Sequence, residues 1–540
     1  MKIILRDIWA SKYVLLFILF LFFLYSVFFI SPGDYQYFSL IDDGQSLYNS
    51  SLFSKCFNEL NCGQLKEVLI ESTFGRVRPV YWFFQYIQFE LLGSDASLHH
   101  QFRVFVLGSV ILMTLFLNGV QAGFNKGSLL FSSVIFFTTY TFAENIIRLG
   151  PTEPYQLIFI GLFSYVYLYR YKFKSDNERY KTSFNFLIIF LLVSSLLIKE
   201  TSIALPLTVL FTSLLLKKSK NERYYSIIIL TVGFFLTLIG RLVVGEGGEE
   251  LSYSDNFQLS PTRIFTNISL YYQIITQNMP VFTKLLPVLL TVLLVLKRIK
   301  VNLNKEILFY WLILLILSIG ILLPWKFALD RYVMSIVYII SFLMGYLINI
   351  LYIKLEEMVE KLNINKIIGK LTLKIIFIYV LISLFLYGYS LNFARVLNYN
   401  SWYKTYLKFE YDQVEALSEL DSDKIYINAQ EILDNWEVLY EIPIHLEYIY
   451  NVDKEIKTFS ADSIEFPIFS STSLKPVVEL DEKSDIDDVI LINSNEYTVE
   501  QIDPLEFREK FRYKPVSTLL NPPYKDDTFN YHWTIHDQEN

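Results

Sequence analysis

Long apolar runs separated by short charged loops dominate the first 395 residues of the chain. A run of roughly 20 predominantly apolar residues has the length of a helix that crosses a membrane. Hydropathy predicts about eleven such spans, and their approximate limits are 13–31, 101–121, 127–143, 153–170, 183–199, 201–217, 224–243, 283–297, 307–324, 331–353 and 371–392. The stretch 79–92 is also apolar, but it is short and aromatic, which is typical of a helix lying in the membrane interface.

The positions of Lys and Arg in the short loops predict the orientation of these spans. Basic residues collect before the first span and in the loops 170–181, 217–223, 297–305 and 354–374. With eleven spans all of them fall on one side, which the positive-inside rule assigns to the cytoplasm. We therefore expect a multi-pass protein of the plasma membrane with a cytoplasmic N-terminus and a retained signal anchor as its first span. The segments predicted outside are 32–100, 144–152, 199–200, 244–282, 324–331 and the C-terminal region.

The C-terminal region is a different kind of sequence. Residues 398–540 hold 30 Asp and Glu against 12 Lys and Arg, whereas the whole chain has a net charge of −7. Tyr411–Leu420 has the pattern of a helix, and Lys424–Ile427 and Val489–Ile492 have the pattern of short strands. We predict a membrane domain over residues 1–395 and a small acidic extracytoplasmic α/β domain over 396–540. This region contains no catalytic motif, which favours a lid or docking module.

Composition and motifs exclude several classes of function. Hydrophobic residues make up 53% of the chain, and the repeated apolar runs of spanning length exclude a soluble globular protein. The chain has no glycine-rich phosphate loop and no zinc spacing, and its basic clusters are loop signals, so no nucleic-acid partner is expected. The two cysteines, Cys56 and Cys62, both lie in the outer loop 32–100, where an oxidising compartment permits a disulfide bond between them.

Ionisable residues at the edges of the spans carry the candidate chemistry, because charge is costly near hydrocarbon. Asp42, Asp43 and Gly44 follow the first span by roughly ten residues. Adjacent carboxylates repel, so one of them is able to act as a base or a metal ligand, and glycine lets the backbone turn close to a ligand. A solvated turn is the alternative. Farther along, Arg76 and Arg78 precede the interfacial helix and suit either a phosphate or lipid headgroups.

Three later elements lie on the same predicted face. Arg148 and Glu153 flank a Gly-Pro turn, where they either line a pocket or form a structural salt bridge across the turn. Lys199 and Glu200 occupy a very tight turn between two long spans, which favours a functional role. The last element follows Leu323 and contains Lys326, Arg331 and Tyr332, which suit either an anionic group or anchoring in the aromatic belt.

In their order and shared face these elements resemble the GT-C superfamily of integral-membrane glycosyltransferases. Members have an acidic pair in the first outer loop, and many bacterial members have a Gly-Arg-x-Arg-Pro-like stretch next. An outer turn that pairs Arg with a nearby Glu, a Lys-Glu doublet and a late Arg-Tyr follow. The matching positions here are Asp42-Asp43, Gly75–Pro79, Arg148 to Glu153, Lys199-Glu200 and Arg331-Tyr332. The resemblance covers roughly residues 1–395.

The resemblance implies transfer of a sugar from a polyprenyl-phosphate carrier to an acceptor on the outer face, for assembly of a cell-envelope glycan or glycoconjugate. Asp42 or Asp43 would be the base, and displacement at the anomeric carbon would invert its configuration. The donor phosphate would be bound by Arg76, Arg78, Arg148, Lys199, Lys326 and Arg331. The sugar or the acceptor would be bound by Glu153, Glu200 and Tyr332. No organic cofactor is implied, and some members use a divalent cation while others do not.

Two other classes of function compete with the transferase. A transporter, flippase or export component for lipid-linked glycans is the first, but carriers commonly bind near mid-membrane, whereas here the charges collect at the span edges. A non-catalytic scaffold whose acidic tail recruits a partner is the second, and it predicts that the edge charges are dispensable.

Overall fold

A computed structural model describes most of the membrane region and short pieces of the C-terminal region. The described residues are 2–39, 43–59, 62, 70–71, 76–172, 178–244, 259–280, 304–325, 328–361, 392–408, 410–412, 414–415, 417–419, 424–428, 436–452, 454–459, 478–479, 489–492, 497–502 and 533–535. The chain divides into two compact units. Unit 1 comprises Met1–Ser31, Phe102–Gly245 and Ser252–Leu397, and unit 2 comprises Pro32–Gln101, Glu246–Leu251 and Asn398–Asn540.

Helices make up most of the described residues. In chain order they are α1 (Lys2–Tyr25), α2 (Asp43–Glu59), α3 (Pro79–Leu92), α4 (Ala96–Gln101), α5 (Gly108–Ala122), α6 (Lys126–Phe137), α7 (Tyr140–Ile147), α8 (Glu153–Lys172), α9 (Glu178–Ile198), α10 (Ala204–Leu215), α11 (Lys220–Val244), α12 (Pro261–Asn278), α13 (Lys305–Leu322), α14 (Met334–Lys361), α15 (392–408) and α16 (Trp436–Tyr448). Short π-helical segments, Ser26–Ile30 and Phe102–Leu107, continue α1 and precede α5. Short 3-10 segments, Glu200–Ile203 and Asp330–Val333, precede α10 and α14.

The apolar helices make this a membrane protein. Among the described residues, four helical segments are long and apolar enough to cross a bilayer, at Ser11–Asp34, Ala96–Ala122, Lys305–Leu322 and Asp330–Lys354. Each of these overlaps a predicted span. The predicted span 283–297, and the span 371–392 except for its last residue, lie outside the described residues. The total of eleven spans therefore stays a prediction.

The third predicted span, 127–143, is not one straight helix. The helices α6 and α7 are joined at a bend of 61°. Together they are long and apolar enough to cross a bilayer, either as a broken span or as a re-entrant loop. The bend has a local cause at Thr139, the N-cap of α7, whose side-chain oxygen accepts a hydrogen bond from the backbone N–H of Phe142. The helix continues to Ile147, so the predicted outer loop 144–152 begins as helix.

Close packing in unit 1 depends on Gly161 in α8. Its carbonyl accepts a hydrogen bond of 3.0 Å from the Asn118 side chain on α5. The Thr114 hydroxyl of α5 bonds the Tyr338 hydroxyl of α14 at 3.0 Å. A Cβ atom at position 161 would stand 2.4 Å from the Thr114 hydroxyl oxygen and 2.9 Å from the Tyr338 hydroxyl. The absence of a side chain therefore lets these three helices meet.

Unit 2 contains two helices that the sequence did not indicate, α2 and α16, and they pack against each other. The Tyr448 hydroxyl of α16 bonds the Ser51 hydroxyl of α2 at 2.9 Å. Cys56, near the end of α2, is joined to Cys62 by a disulfide bond. The apolar stretch 79–92 is helical as predicted, in α3.

Strands in unit 2 are short. β1 (Ile70–Glu71) pairs antiparallel with β2 (Arg76–Val77). Beyond α15, parallel strands run in the order β3 (Lys424–Asn428), β4 (Glu455–Phe459) and β5 (Val478–Glu479). A second sheet has the order β6 (Val489–Ile492), β7 (Tyr497–Ile502) and β8 (Trp533–Ile535). The strands β3 and β6 lie where the sequence predicts them, while the assignment of 396–540 to one α/β domain stays a prediction.

Candidate active site

Lys199 and Glu153 form a buried ion pair in unit 1. Glu153 begins α8, and Lys199 is the residue between α9 and the 3-10 segment Glu200–Ile203. The Lys199 ammonium donates a hydrogen bond to Glu153 Oε1, and the side chains are only 10% and 7% exposed. The Gln156 amide, one turn later in α8, donates to the hydroxyls of Thr201 and Ser202 at 2.9 Å each. These bonds fix the tight turn after α9 against the start of α8.

A second polar group surrounds Asp330, in the 3-10 segment that precedes α14. Asp330 Oδ1 accepts a hydrogen bond of 2.7 Å from the Asn278 side chain at the end of α12. Asn278 Oδ1 in turn accepts from the backbone N–H of Thr141 at 2.8 Å, and the Thr141 hydroxyl donates to the Asp330 carbonyl at 3.1 Å. The Arg395 guanidinium lies 4.0 Å from Asp330 Oδ2 and 4.4 Å from the centre of the Tyr140 ring. Asp330 is therefore held by hydrogen bonds from two helices, α12 and α7, and faces a cation on a third, α15.

Arg331 connects the two groups. Its backbone carbonyl accepts a hydrogen bond of 3.1 Å from the Asn145 side chain of α7. Its guanidinium interacts electrostatically with Glu144 and with Glu153. The next residue, Tyr332, places its ring 4.9 Å from the Lys199 ammonium.

Seven charged residues thus form one group in unit 1, which we call the charge cluster. Its members are Glu144, Arg148, Glu153, Lys199, Asp330, Arg331 and Arg395. Arg148 belongs to it through its electrostatic interaction with Glu144. With four cations against three carboxylates, these members carry a formal charge of +1, counted from the sequence. Such a cluster is able to bind a further anion, because charged hydrogen-bond donors in a water-poor site stabilise negative charge strongly.

The charge cluster includes both charged residues of the Arg148–Glu153 turn. The sequence left open a salt bridge across this turn, but the structure pairs Glu153 with Lys199, which lies 46 residues away. Arg148 instead caps the end of α7 in extended conformation and interacts with Glu144, one turn earlier. Glu200, which follows Lys199, is exposed.

Asp43 belongs to unit 2 and is 1% exposed. It is the first residue of α2, and its Oδ2 atom accepts a hydrogen bond of 2.8 Å from the backbone N–H of Ser39. A carboxylate is favourable here because the N-terminus of a helix carries partial positive charge. Gly44 lies in the first turn of α2, whereas the sequence left open a solvated loop turn as the alternative at this position. Arg78 is buried and occupies the position before α3, directly ahead of Pro79.

His445 and Glu441, one turn apart on α16, lie buried beside this region of unit 2. The His445 ring bonds the backbone carbonyl of Glu441 at 2.9 Å, and its Nδ1 lies 3.8 Å from Glu441 Oε2. Burial lowers the pKa of His445 to about 4, and hydrogen bonds to the backbone of Glu441 and Ser39 oppose that shift only in part. The backbone of Ser39 thus lies close to His445, and its N–H bonds the Asp43 carboxylate.

Three predicted site residues cannot be placed: Asp42, Lys326 and the side chain of Arg76 lie outside the described residues. Other residues of the site were not predicted, namely Arg103, Asn278 and Arg395. Arg103 offered a signal, since it is an arginine inside a predicted apolar span, whereas Asn278 and Arg395 lie outside every outer motif. Within the described part of the chain, no three His, Cys, Asp or Glu side chains come together as a metal site.

Comparison with known proteins identifies the fold. No protein-family model matches the chain, and no curated protein does. The structure is similar to that of ArnT from Cupriavidus metallidurans bound to undecaprenyl phosphate, with a TM-score of 0.52, 12% identity, and 90% of this chain and 93% of that chain covered. For the apo state of the same ArnT the TM-score is 0.57 with 13% identity, covering 89% and 93%. The apo oligosaccharyltransferase of Archaeoglobus fulgidus gives 0.52 and 11%, covering 81% of this chain and 64% of that one.

These proteins are GT-C glycosyltransferases. The resemblance to the GT-C superfamily that the sequence motifs indicated is therefore confirmed at the level of the fold. The chain is a helical membrane protein with a GT-C fold.

Proposed function

We propose that this protein is a membrane glycosyltransferase that moves a sugar from a polyprenyl-phosphate carrier to an acceptor on the outer face of the membrane, for assembly of a cell-envelope glycan or glycoconjugate. The observation that carries the proposal is the charge cluster. A group of buried and half-buried charges with more cations than carboxylates, at the ends of apolar helices, suits a phosphate whose lipid tail lies in the bilayer.

The carrier phosphate is the leaving group in this proposal. The ArnT structure contains undecaprenyl phosphate, and its fold is shared. As the acceptor oxygen bonds to the anomeric carbon, the bond from that carbon to the phosphate oxygen breaks, and the phosphate leaves with the electron pair. Arg148, Lys199 and Arg331 stabilise the charge that develops on it. Arg78 and the undescribed Arg76 and Lys326 remain proposed phosphate ligands from their sequence positions.

Asp43, or its neighbour Asp42, takes the proton of the acceptor hydroxyl, and the configuration at the anomeric carbon inverts. The burial of Asp43 and its bond from Ser39 support this role, because a base must be held in a fixed orientation. Glu200 and Tyr332 are proposed to bind the sugar or the acceptor. Glu153 is proposed for the same role, and it also pairs with Lys199.

The arrangement in the membrane is part of the proposal. The protein is proposed to have eleven spans, a cytoplasmic N-terminus, and an acidic extracytoplasmic domain over residues 396–540. The basic loops of the sequence support this orientation.

A transfer assay on the full-length protein in nanodiscs tests the proposal, with a panel of radiolabelled polyprenyl-phosphate sugars and extracts of envelope glycans as acceptors. We expect label to leave the carrier with wild type, and to stay on it with Asp43→Asn. Asparagine keeps the acceptor for the Ser39 N–H, so the fold is retained while the base is lost. Asp34→Asn is the matched control, since Asp34 is an exposed aspartate of the same unit that pairs with Lys404.

A second pair of variants tests the phosphate site. Arg331→Gln removes a cation of the cluster and should abolish transfer, whereas Arg223→Gln, at an exposed arginine of α11, should leave it intact. Binding of the carrier without turnover by wild type, and equally by Arg331→Gln, would replace the transferase by a flippase or scaffold.

A further inference from the structure

Among the residues that the structure describes, Arg103 is the largest charged side chain that is completely buried, at 0% exposure. It lies in the π-helical segment Phe102–Leu107 ahead of α5, in unit 1. Burying an arginine is costly unless its donors are satisfied. The bonds that Arg103 makes therefore indicate what it is for.

The guanidinium of Arg103 bonds three backbone carbonyls between the last turn of α7 and the start of α8. Its Nη2 donates to the carbonyls of Asn145 and Pro151 at 2.9 Å each, and its Nη1 donates to the carbonyl of Leu149. The last carbonyls of a helix have no partner inside the helix, and a cation is favourable there. The planar fork of arginine reaches three acceptors at once, which the single nitrogen of a lysine in the same place does not.

The segment held by Arg103 lies between the two halves of the charge cluster. Glu144 and Arg148 stand at its beginning, and Glu153, the partner of Lys199, stands directly after it. Asn145 links Arg103 to Arg331. Its backbone carbonyl accepts a hydrogen bond from Arg103, and its side-chain amide donates one to the Arg331 carbonyl. Arg103 thus reaches two cluster cations, Arg148 and Arg331, through one backbone segment.

We propose that Arg103 is a positioning residue for the phosphate-binding site, acting through Arg148 and Arg331 without touching the ligand. It sets the separation of these two cations by fixing the turn from Asn145 to Pro151. The inference rests on the proposed function, because it assumes that the cluster binds the phosphate of a polyprenyl carrier.

Binding of undecaprenyl phosphate to the full-length protein in nanodiscs tests this, with undecaprenol as the phosphate-free probe. The ratio of the two affinities measures the contribution of the phosphate. General damage to the fold lowers both affinities together, whereas misplaced cations lower only the ratio. We expect Arg103→Lys to reduce the ratio about tenfold, within the range for residues coupled through a shared backbone segment. Arg103→Gln, which also loses the charge, should reduce it further.

Arg170→Lys is the matched control. Arg170 lies in α8, 17 residues after Glu153 in the sequence and thus roughly 25 Å along the helix. Its guanidinium packs 3.7 Å from the centre of the Tyr225 ring. The same substitution there should leave the ratio unchanged.

A double-mutant cycle separates positioning from an independent effect. If Arg103 acts through Arg148, then Arg103→Lys lowers the ratio much less in an Arg148→Gln background than in wild type. Additive effects would overturn the proposal. Should Arg103→Lys fail to fold, Asn145→Ala cuts the connection at its other end, and an unchanged ratio there would overturn the proposal as well.

The outcomes distinguish this inference from the function on which it rests. A wild-type protein that binds both probes equally contradicts the phosphate site, and both proposals fall. A wild type that prefers the phosphate, together with an Arg103→Lys variant of equal preference, removes only the role of Arg103.

Discussion

The buried pair of Lys199 and Glu153 gives the most direct test of the structure. Lys199→Met keeps most of the length and apolar stem of the side chain but removes its charge. Glu153 is then left as a carboxylate with a side chain only 7% exposed. The ring of Tyr332, which faces the ammonium at 4.9 Å, does not replace the lost cation.

The expected cost follows from this burial. Removing one partner of a buried ion pair typically costs about 3–5 kcal/mol, because it leaves an uncompensated charge. The remaining interaction of Glu153 with Arg331 places the expected value at the lower end, about 3 kcal/mol. Glu153→Gln should cost a similar amount, since it leaves the Lys199 ammonium unpaired. The double variant should cost well under the sum, because both charges leave together.

The assay is reversible unfolding of the purified full-length protein in mixed micelles, followed by far-UV circular dichroism as the denaturing detergent increases. Lys404→Met is the control, since Lys404 pairs with the exposed Asp34 and such pairs contribute at most about 1 kcal/mol. Single variants that each cost less than about 1 kcal/mol, or costs that add in the double variant, would refute a buried and coupled pair.

Three further predictions concern other parts of the structure. Gly161→Ala should destabilise the protein by about 1–3 kcal/mol in the same assay, because the new methyl group overlaps two hydroxyls on neighbouring helices. Replacing Cys56 and Cys62 by serine should cost about 2 kcal/mol, the loop-closure value for a bond spanning so few residues. In the folded protein the pKa of His445 is lowered to about 4, whereas in the unfolded chain the ring binds a proton below its ordinary pKa of 6.5. The contribution of His445 to the free energy of unfolding is therefore complete above pH 6.5 and is lost as the pH falls towards about 4. Amide hydrogen exchange of α16 should therefore accelerate over that range.

Each of these predictions has its own control. Gly320→Ala, in a helix with open space around position 320, should be neutral or slightly stabilising. Reducing agent applied to wild type should reproduce the loss seen in the double serine variant, and no effect of either would argue against the bond. His445→Gln should flatten the pH dependence of exchange in α16. In wild type, the pKa shift of His445 limits the change in the free energy of opening to about 3 kcal/mol. An equally steep dependence in that variant would assign it to another group.

Helices with local signals were predictable from the sequence. The apolar runs predicted the helices α1, α13 and α14, because a helix in a bilayer must bury its backbone hydrogen bonds within a continuous apolar segment. The aromatic stretch of α3 was also predicted. The helix α2 was missed, because its 17 residues are mostly polar and too weakly apolar for a membrane span, and it packs against α16, which lies far away in the sequence.

The candidate site was predictable in part. The sequence selected Lys199, Glu153 and Arg331 because charges at the edges of apolar spans are costly. It did not predict that Glu153 pairs with Lys199 instead of facing Arg148 across the turn. It also passed over Arg103, whose three carbonyl acceptors lie 42 to 48 residues away in the sequence.

The sequence by itself determined that this is a helical membrane protein with charges gathered at the ends of its spans, because span length and hydropathy are local properties of the chain. Only the tertiary structure decided which charges meet. The contacts of Asp330 with Asn278 and Arg395, and of Lys199 with Glu153, join residues 46 to 65 positions apart. Such pairings follow from how apolar helices pack against each other, and the spacing of residues along one helix contains no record of that packing.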